Sequence, residues 1–393
     1  MPDFYKQASE LFSYTQSLRR DFHMHPELGF QEVRTAGIVA RELQNLGLEV
    51  TTGVGKTGVV ALIEGSHPGP TLLLRADMDA LPILEQTGAV YASQNPGVMH
   101  ACGHDGHTAI LLTVAKMLNS ARETFHGTVK LVFQPAEEGM GGAESMIADG
   151  ILDNPKVDMT FGLHLWNDKP LGWLGIAEGS TMAGAEIFSI KITGKGGHGA
   201  MPHGAVDPVL AGAQIVTALQ SIVSRNVPPL EAAVVSVTQF HGGDAFNVIP
   251  QTVELGGTIR TFNPEVREMV IRRSEEIATK IAEAMGCKAE FTNTRLTPAV
   301  INDGKTIKLI QTAASKVLPD LDVDTSAPTT MGSEDFAFIM EKVPGCFVFI
   351  GSANTEKGLD YGHHHPKFDV DEQALIYAAA LMAQSAVEIL NSK

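Results

Sequence analysis

The chain has 393 residues, 44% apolar and 19% charged, with 45 acidic against 29 basic side chains and a formal net charge of −16. Such a length exceeds one ordinary domain, and the apolar share excludes a disordered chain. Lys and Arg form no clustered run, which excludes a phosphate-tracking surface and hence nucleic acid as a partner.

In chain order, the first 22 residues are amphipathic and charged and lack the apolar core of a signal peptide. No uninterrupted apolar run along the chain reaches bilayer length, so no membrane partner is expected. Residues 31–47 read as a helix, with Val33, Ile38, Leu43 and Leu46 near one stripe and Gly47 as a stop. Short apolar runs at 59–63, 71–74, 129–133 and 159–163 are typical of buried strands, and 108–118 between them is helix-like. This alternation predicts an α/β sheet covered by helices.

From 186 to 297 the rhythm changes to strand (186–193), helix (207–225), strand (233–241), strand (252–262), helix (264–285) and strand (288–296). Asn263 can cap the second helix and Pro264 suits its first turn. The βαββαβ order matches a ferredoxin-like arrangement, read here as a domain at 186–297 inserted into a larger one formed by 1–185 and 298–393. Helix, strand and helix then resume at 305–317, 346–351 and 372–390. Three cysteines, Cys102, Cys287 and Cys346, are too few and too widely spaced for a disulfide framework, which fits a reducing cytoplasm.

Chemistry concentrates in a few short segments. MHACGHDGH (99–107) places His100, Cys102, His104 and His107 together. Cys102 and His104, two apart, share a face if the segment is extended, and thiolate plus imidazole is a good donor pair for zinc or a similar metal. QPAEEG (134–139) follows a strand. There one of Glu137 and Glu138 can hold a metal while the other takes a proton from water, although a lone Glu–Glu pair is more often solvated surface. In LLLRADMDALP (72–82), Asp77 and Asp79 leave a buried strand facing one way. Either can orient a ligand or base, and an Asx turn before Pro82 is an equal reading. His164 closes another apolar strand, and one of His363, His364 and His365 can reach an ion. In the inserted segment, His198 lies in a glycine-rich turn, while Asn247 and Arg260 suit recognition of a carbonyl and a carboxylate.

Ten segments in order, RRDFHMHPELGFQE, RADMDALPI, MHACGHDGHT, QPAEEG, GLHLW, GKGGHGAMPH, FNVIP, GTIRTF, MGSEDFAF and HHPKFDVDE, span nearly the whole chain. Together they resemble the aminoacylase/carboxypeptidase family of dinuclear metallohydrolases, in its branch of hippurate hydrolases, N-acyl-amino-acid amidohydrolases and auxin-conjugate hydrolases. The resemblance implies a mixed-sheet α/β catalytic domain of zinc-peptidase type with an inserted lid that also forms a homodimer or higher homo-oligomer. It implies two divalent ions per subunit (zinc, manganese, cobalt or nickel), held by Cys102, His104, Glu138, His164 and His364. His364 is chosen on its spacing before Pro366 and Asp371, with His363 and His365 as alternatives. Glu137 is then the general base, Asp79 orients the centre, His198 stabilises an oxyanion, and Asn247 and Arg260 hold the substrate's carboxylate. Other branches carry His-x-Asp where this chain has Asp77–Met78–Asp79, which leaves open whether Asp77 touches metal. The activity implied is amide hydrolysis of small-molecule N-acyl-amino acids. Cleavage of short peptides as a metallocarboxypeptidase or dipeptidase is the alternative, and a non-catalytic metal-binding homologue a third.

Overall fold

The computed structural model describes residues 2–326 and 329–392. The chain forms two units, one of Met1–Thr181, Ile301–Pro328 and Asp335–Lys393, the other of Met182–Val300 and Thr329–Glu334.

The first unit is built on an eight-stranded mixed sheet. Its strands run in the order Val50–Val54, Gly58–Glu64, His126–Gln134, His67–Asp77, Met159–Pro170, Gly345–Ala353, Trp173–Gly175 and Asp322–Asp324. The four from His126–Gln134 to Gly345–Ala353 are mutually parallel. Parallel strands are covered on both faces, so they need continuous apolar runs rather than alternation. Leu72, Leu73 and Leu74 are all fully buried, as are Leu131, Val132 and Phe133. The helix predicted at 31–47 spans Val33–Asn45. Ile38 and Leu43 face the core, but Val33, the first helical residue, is 70% exposed.

Among the described residues one helix, Gln373–Leu390, is long and apolar enough to cross a membrane. It is 83% buried inside the fold, packed against helices Phe4–Glu10, His104–Ser120 and Gly304–Val317. A helix enclosed on all sides is apolar all round, which accounts for its composition.

The second unit is a four-stranded antiparallel sheet in the order Ala233–His241, Thr252–Thr261, Gly184–Thr193, Lys288–Thr297. Burial alternates along Gly184–Thr193, the pattern of a sheet with one covered face. Ile190 and Ile192 share a core with Ile215 and Leu219 of helix Pro208–Arg225 and with Val270 and Ala278 of helix Pro264–Ala284. Both helices begin with a proline after a capping side chain, Asp207 or Asn263, which satisfies otherwise orphaned N–H groups.

Candidate active site

Strand register brings three positions level, the ends of two strands and His164 within a third. Asp77 pairs with Gln134 and Arg75 with Gly162, so Asp77, Gln134 and His164 stand side by side at the carboxyl edge of the parallel strands. Open α/β sheets place their sites along this edge. Asp79 follows the first strand, Glu137 and Glu138 follow the second, and helix His104–Ser120 starts there.

The two-residue spacing predicts an extended Cys102–His104 segment, and here the structure differs. Gly103 is left-handed (φ +93°) and caps the helix that begins at His104, so the two side chains converge around a turn that glycine adopts without strain. Cys102, His104 and His164 offer donor atoms all within 4.8 Å of one another, as do Cys102, Glu138 and His364, and His104, Glu137 and Glu138. Sγ of Cys102 lies 3.5 Å from Nε2 of His164, and Nε2 of His364 lies 3.3 Å from Oε1 of Glu138. Cys102 is thus common to two donor sets, and five distant side chains form one cluster.

Hydrogen bonds aim these donors. Nδ1 of His104 lies 2.9 Å from the Asp79 carbonyl and 3.2 Å from Asp79 Oδ1, so Nδ1 carries a proton and Nε2 is the nitrogen left to face the cluster. That Nε2 is buried without a hydrogen-bond partner among the described residues. His164 donates from Nδ1 to the Leu165 carbonyl at 2.6 Å, turning its Nε2 to Cys102. Histidines that ligate metals are held in this way.

The electrostatics of the cluster differ from donor to donor. Burial pushes the Cys102 thiol up, and Glu138 adds to the effect. Burial opposes charge on His104, yet Asp77, Asp79 and Cys102 outweigh it and hold its pKa well above the ordinary value, so a cation binding at Nε2 would displace a proton. Burial keeps His164 neutral, its pKa far below the usual range, which is the ligand form. A thiol, carboxylates and a neutral imidazole packed together make a pocket that favours a cation, and the donor set fits a borderline divalent metal.

Of the three consecutive histidines, only His364 turns into the cluster, from a left-handed backbone (φ +63°). His363 accepts the Asn167 N–H at 3.3 Å and packs on Trp166, and His365 stacks on Tyr361. His107 is occupied at both nitrogens, donating to Asp77 Oδ1 at 2.6 Å and accepting the Leu165 N–H at 2.9 Å. Asp77 is further bound by Arg75 at 2.5 Å, so it braces His107 and the sheet edge. Both aspartates still reach His104, Asp79 Oδ1 at 3.2 Å from Nδ1 and Asp77 Oδ2 at 3.7 Å from Nε2. Asp79 Oδ2 accepts the Glu138 N–H at 3.0 Å. Glu137 is 9% exposed, and its Oε1 accepts the Asp335 N–H at 3.3 Å. Asp335 and Arg75 lie in segments whose motifs stood out in the sequence, but a buried charged residue carries no local signal of its partners.

In the second unit, His198 is exposed on a short strand, Gly197–His198, paired with Val248–Ile249. Gly199 N–H donates to the Asn247 carbonyl at 2.7 Å, so His198 and Asn247 are neighbours. Arg260 stands elsewhere, half-buried and opposite Ala185 and Val234, donating to Thr258 Oγ1 and to the Ile259 carbonyl. Thr252, at the His198 end of that strand, pairs with Thr193. The eight steps from Thr252 to Arg260 span about 26 Å of extended chain.

A thiol, imidazoles and a carboxylate sharing a cluster beside a second carboxylate, at the carboxyl edge of a mixed α/β sheet, define a metal-dependent amidohydrolase or peptidase. The chain belongs to peptidase family M20/M25/M40, whose model matches residues 73–388. It is 43% identical over 378 residues to N-acetylcysteine deacetylase of Bacillus subtilis, covering 96% of this chain and 97% of that one. It is 40% identical over 388 residues to IAA-amino acid hydrolase ILR1-like 4 of Arabidopsis thaliana, covering 98% and 87%. Among solved structures, the Bacillus subtilis YXEP protein, described as a dinuclear metal binding peptidase of the M20 family, superposes with a TM-score of 0.87 at 39% identity, covering 98% and 100%.

Proposed function

We propose that this enzyme hydrolyses the amide bond of N-acyl-amino acids, releasing a carboxylic acid and a free amino acid. The observation that carries the reading is the Glu137 carboxylate set within 4.8 Å of donor atoms of His104 and Glu138. Two divalent ions (zinc, manganese, cobalt or nickel) held by Cys102, His104, Glu138, His164 and His364 would polarise the carbonyl and acidify water. Glu137 takes the proton of the attacking water and returns it to the leaving nitrogen. Asp79 keeps His104 in the correct tautomer and holds the Glu138 main chain. His198 donates to the developing oxyanion, a contact worth about 3–4 kcal/mol in comparable sites. The names of the two relatives above, a deacetylase of an acetylated amino acid and a hydrolase of amino-acid conjugates, support the substrate class.

Asn247 and Arg260 are the groups for the substrate's carboxylate. About 26 Å of strand separates Thr252, near the Asn247 end, from Arg260, which supports a homodimer in which each site draws on two inserted domains. Strand Ala233–His241 is at the sheet edge, open to such pairing. A mixture of His198→Ala and Glu137→Ala chains would then recover turnover that neither variant has alone. The three free cysteines support a reducing, cytoplasmic setting.

Parallel assays on benzoyl-, acetyl- and indolylacetyl-amino acids against dipeptides test the substrate class. Faster turnover of dipeptides would establish the peptidase reading, which the description of YXEP favours. No turnover with any of the four metals would leave a non-catalytic metal-binding protein.

A further inference from the structure

The turn between strand His126–Gln134 and helix Gly142–Ala148 carries both Glu137 and Glu138. Its geometry is demanding, since Ala136 adopts φ +53° without being glycine, a conformation that persists only where the surroundings impose it. Glu32, 0% exposed, accepts the Ala136 N–H through Oε1 at 2.9 Å and the Thr57 hydroxyl through Oε2 at 2.5 Å. Glu32 occupies the N-cap position of helix Val33–Asn45, where its carbonyl accepts the Ala36 N–H but its side chain makes no cap hydrogen bond. Its side chain serves the turn instead of its own helix. Gly29, three residues earlier, closes the other approach, because a Cβ there would lie 3.1 Å from Ala136 Cα.

We propose that Glu32 is a positioning residue whose buried carboxylate holds the Ala136 N–H and so sets the direction in which Glu137 and Glu138 leave the turn. The proposal rests on Glu137 being the base. The carboxylate acts as a hydrogen-bond acceptor of the right length, and its charge strengthens the bond. Losing that acceptor frees Ala136 to relax towards an ordinary φ, which rotates the two following side chains away from the cluster.

The test compares Glu32→Gln, Glu32→Asp and Thr57→Val in the full-length, metal-loaded enzyme. Readouts are kcat and KM on an acetylated amino acid, metal affinity by chelator competition, and thermal stability. Glu32→Gln keeps an acceptor at the same reach and retains kcat to within about threefold, the loss of charge assistance alone. Glu32→Asp keeps the charge but falls short of Ala136, and loses about a hundredfold in kcat with KM little changed. Because Glu138 shares the turn, its metal affinity falls about tenfold. Thr57→Val leaves Glu32 in place but removes its anchor, and lowers kcat about tenfold; it also carries the test if Glu32→Asp does not fold. Lower thermal stability in Glu32→Asp with wild-type kcat and metal affinity overturns the proposal, as does unchanged kcat in Thr57→Val or a Glu32→Gln as impaired as Glu32→Asp. Glu137→Ala, assayed alongside, separates the claims. Full turnover there removes the base and this proposal with it, whereas a dead Glu137→Ala beside a fully active Glu32→Asp removes this proposal alone.

Discussion

Oδ2 of Asp79 accepts the main-chain N–H of Glu138 at 3.0 Å. The other oxygen of the same carboxylate lies 3.2 Å from Nδ1 of His104, so one buried side chain positions two members of the cluster. Asp79→Ala is expected to weaken metal affinity or activity by about 10- to 100-fold, measured by chelator competition and turnover. Wild-type values for both would show that His104 and Glu138 need no such support.

The histidine triplet gives a sharper contrast. His364 faces Cys102 and Glu138, while His365 stacks on Tyr361 at 4.6 Å between ring centroids. His364→Ala is expected to lose about tenfold or more in metal affinity, at least what an outer partner would cost, and His365→Ala to keep it. Metal content after dialysis against a weak chelator distinguishes them, and the reverse pattern would contradict the assignment.

The parallel strands and the donor residues were legible because each rests on a local pattern. A run such as Leu72–Leu73–Leu74 needs no knowledge of its neighbours to read as a buried strand, and Cys102 with His104 puts two metal-donor side chain types two residues apart. Pairings across the chain were not legible. Arg19 meets Asp105 across 86 positions, Glu32 meets Ala136 across 104 and Asp335 meets Ala143 across 192. Burial and long-range partnership make these residues matter, and neither leaves a mark within a short window. The convergence of Cys102 and His104 was anticipated through an extended segment, and a left-handed glycine achieves it instead. The placement of Arg260 opposite Ala185 and Val234 follows from the sheet register, which motif order does not contain.

Arg19 is fully buried and pairs with Asp105 at 2.8 Å and Asp369 at 2.6 Å, tying helix Phe12–Met24 to the start of the His104 helix and to the chain after His364. Removing one member of a buried charge network leaves the others uncompensated, at about 3–5 kcal/mol. Arg19→Ala is expected to lower stability to urea by that order, and a loss below about 1 kcal/mol, the worth of a surface pair, would show that the network is solvated.

His23 gives the fold a pH dependence. Burial opposes its charge, but Asp105 at 2.7 Å and Glu85 at 3.3 Å outweigh burial and the nearby Arg19, raising its pKa from 6.5 to about 9. The folded state then holds this proton more tightly than the unfolded chain. The stabilisation is complete below pH 6.5 and fades as pH rises through about 9. The difference in melting temperature between wild type and His23→Asn is expected to be largest near the bottom of that window and to shrink across it. A constant difference would mean that His23 is neutral in the fold.

The account depends most on the division of labour between Glu137 and its neighbours, and metal stoichiometry measured together with turnover in Glu137→Ala and Cys102→Ala tests it directly. The expected result is that Glu137→Ala retains its full metal content while losing about 100- to 10,000-fold in kcat, the range for removal of a general base, and that Cys102→Ala loses metal. Near-normal turnover in Glu137→Ala, or full metal occupancy in Cys102→Ala, would contradict it.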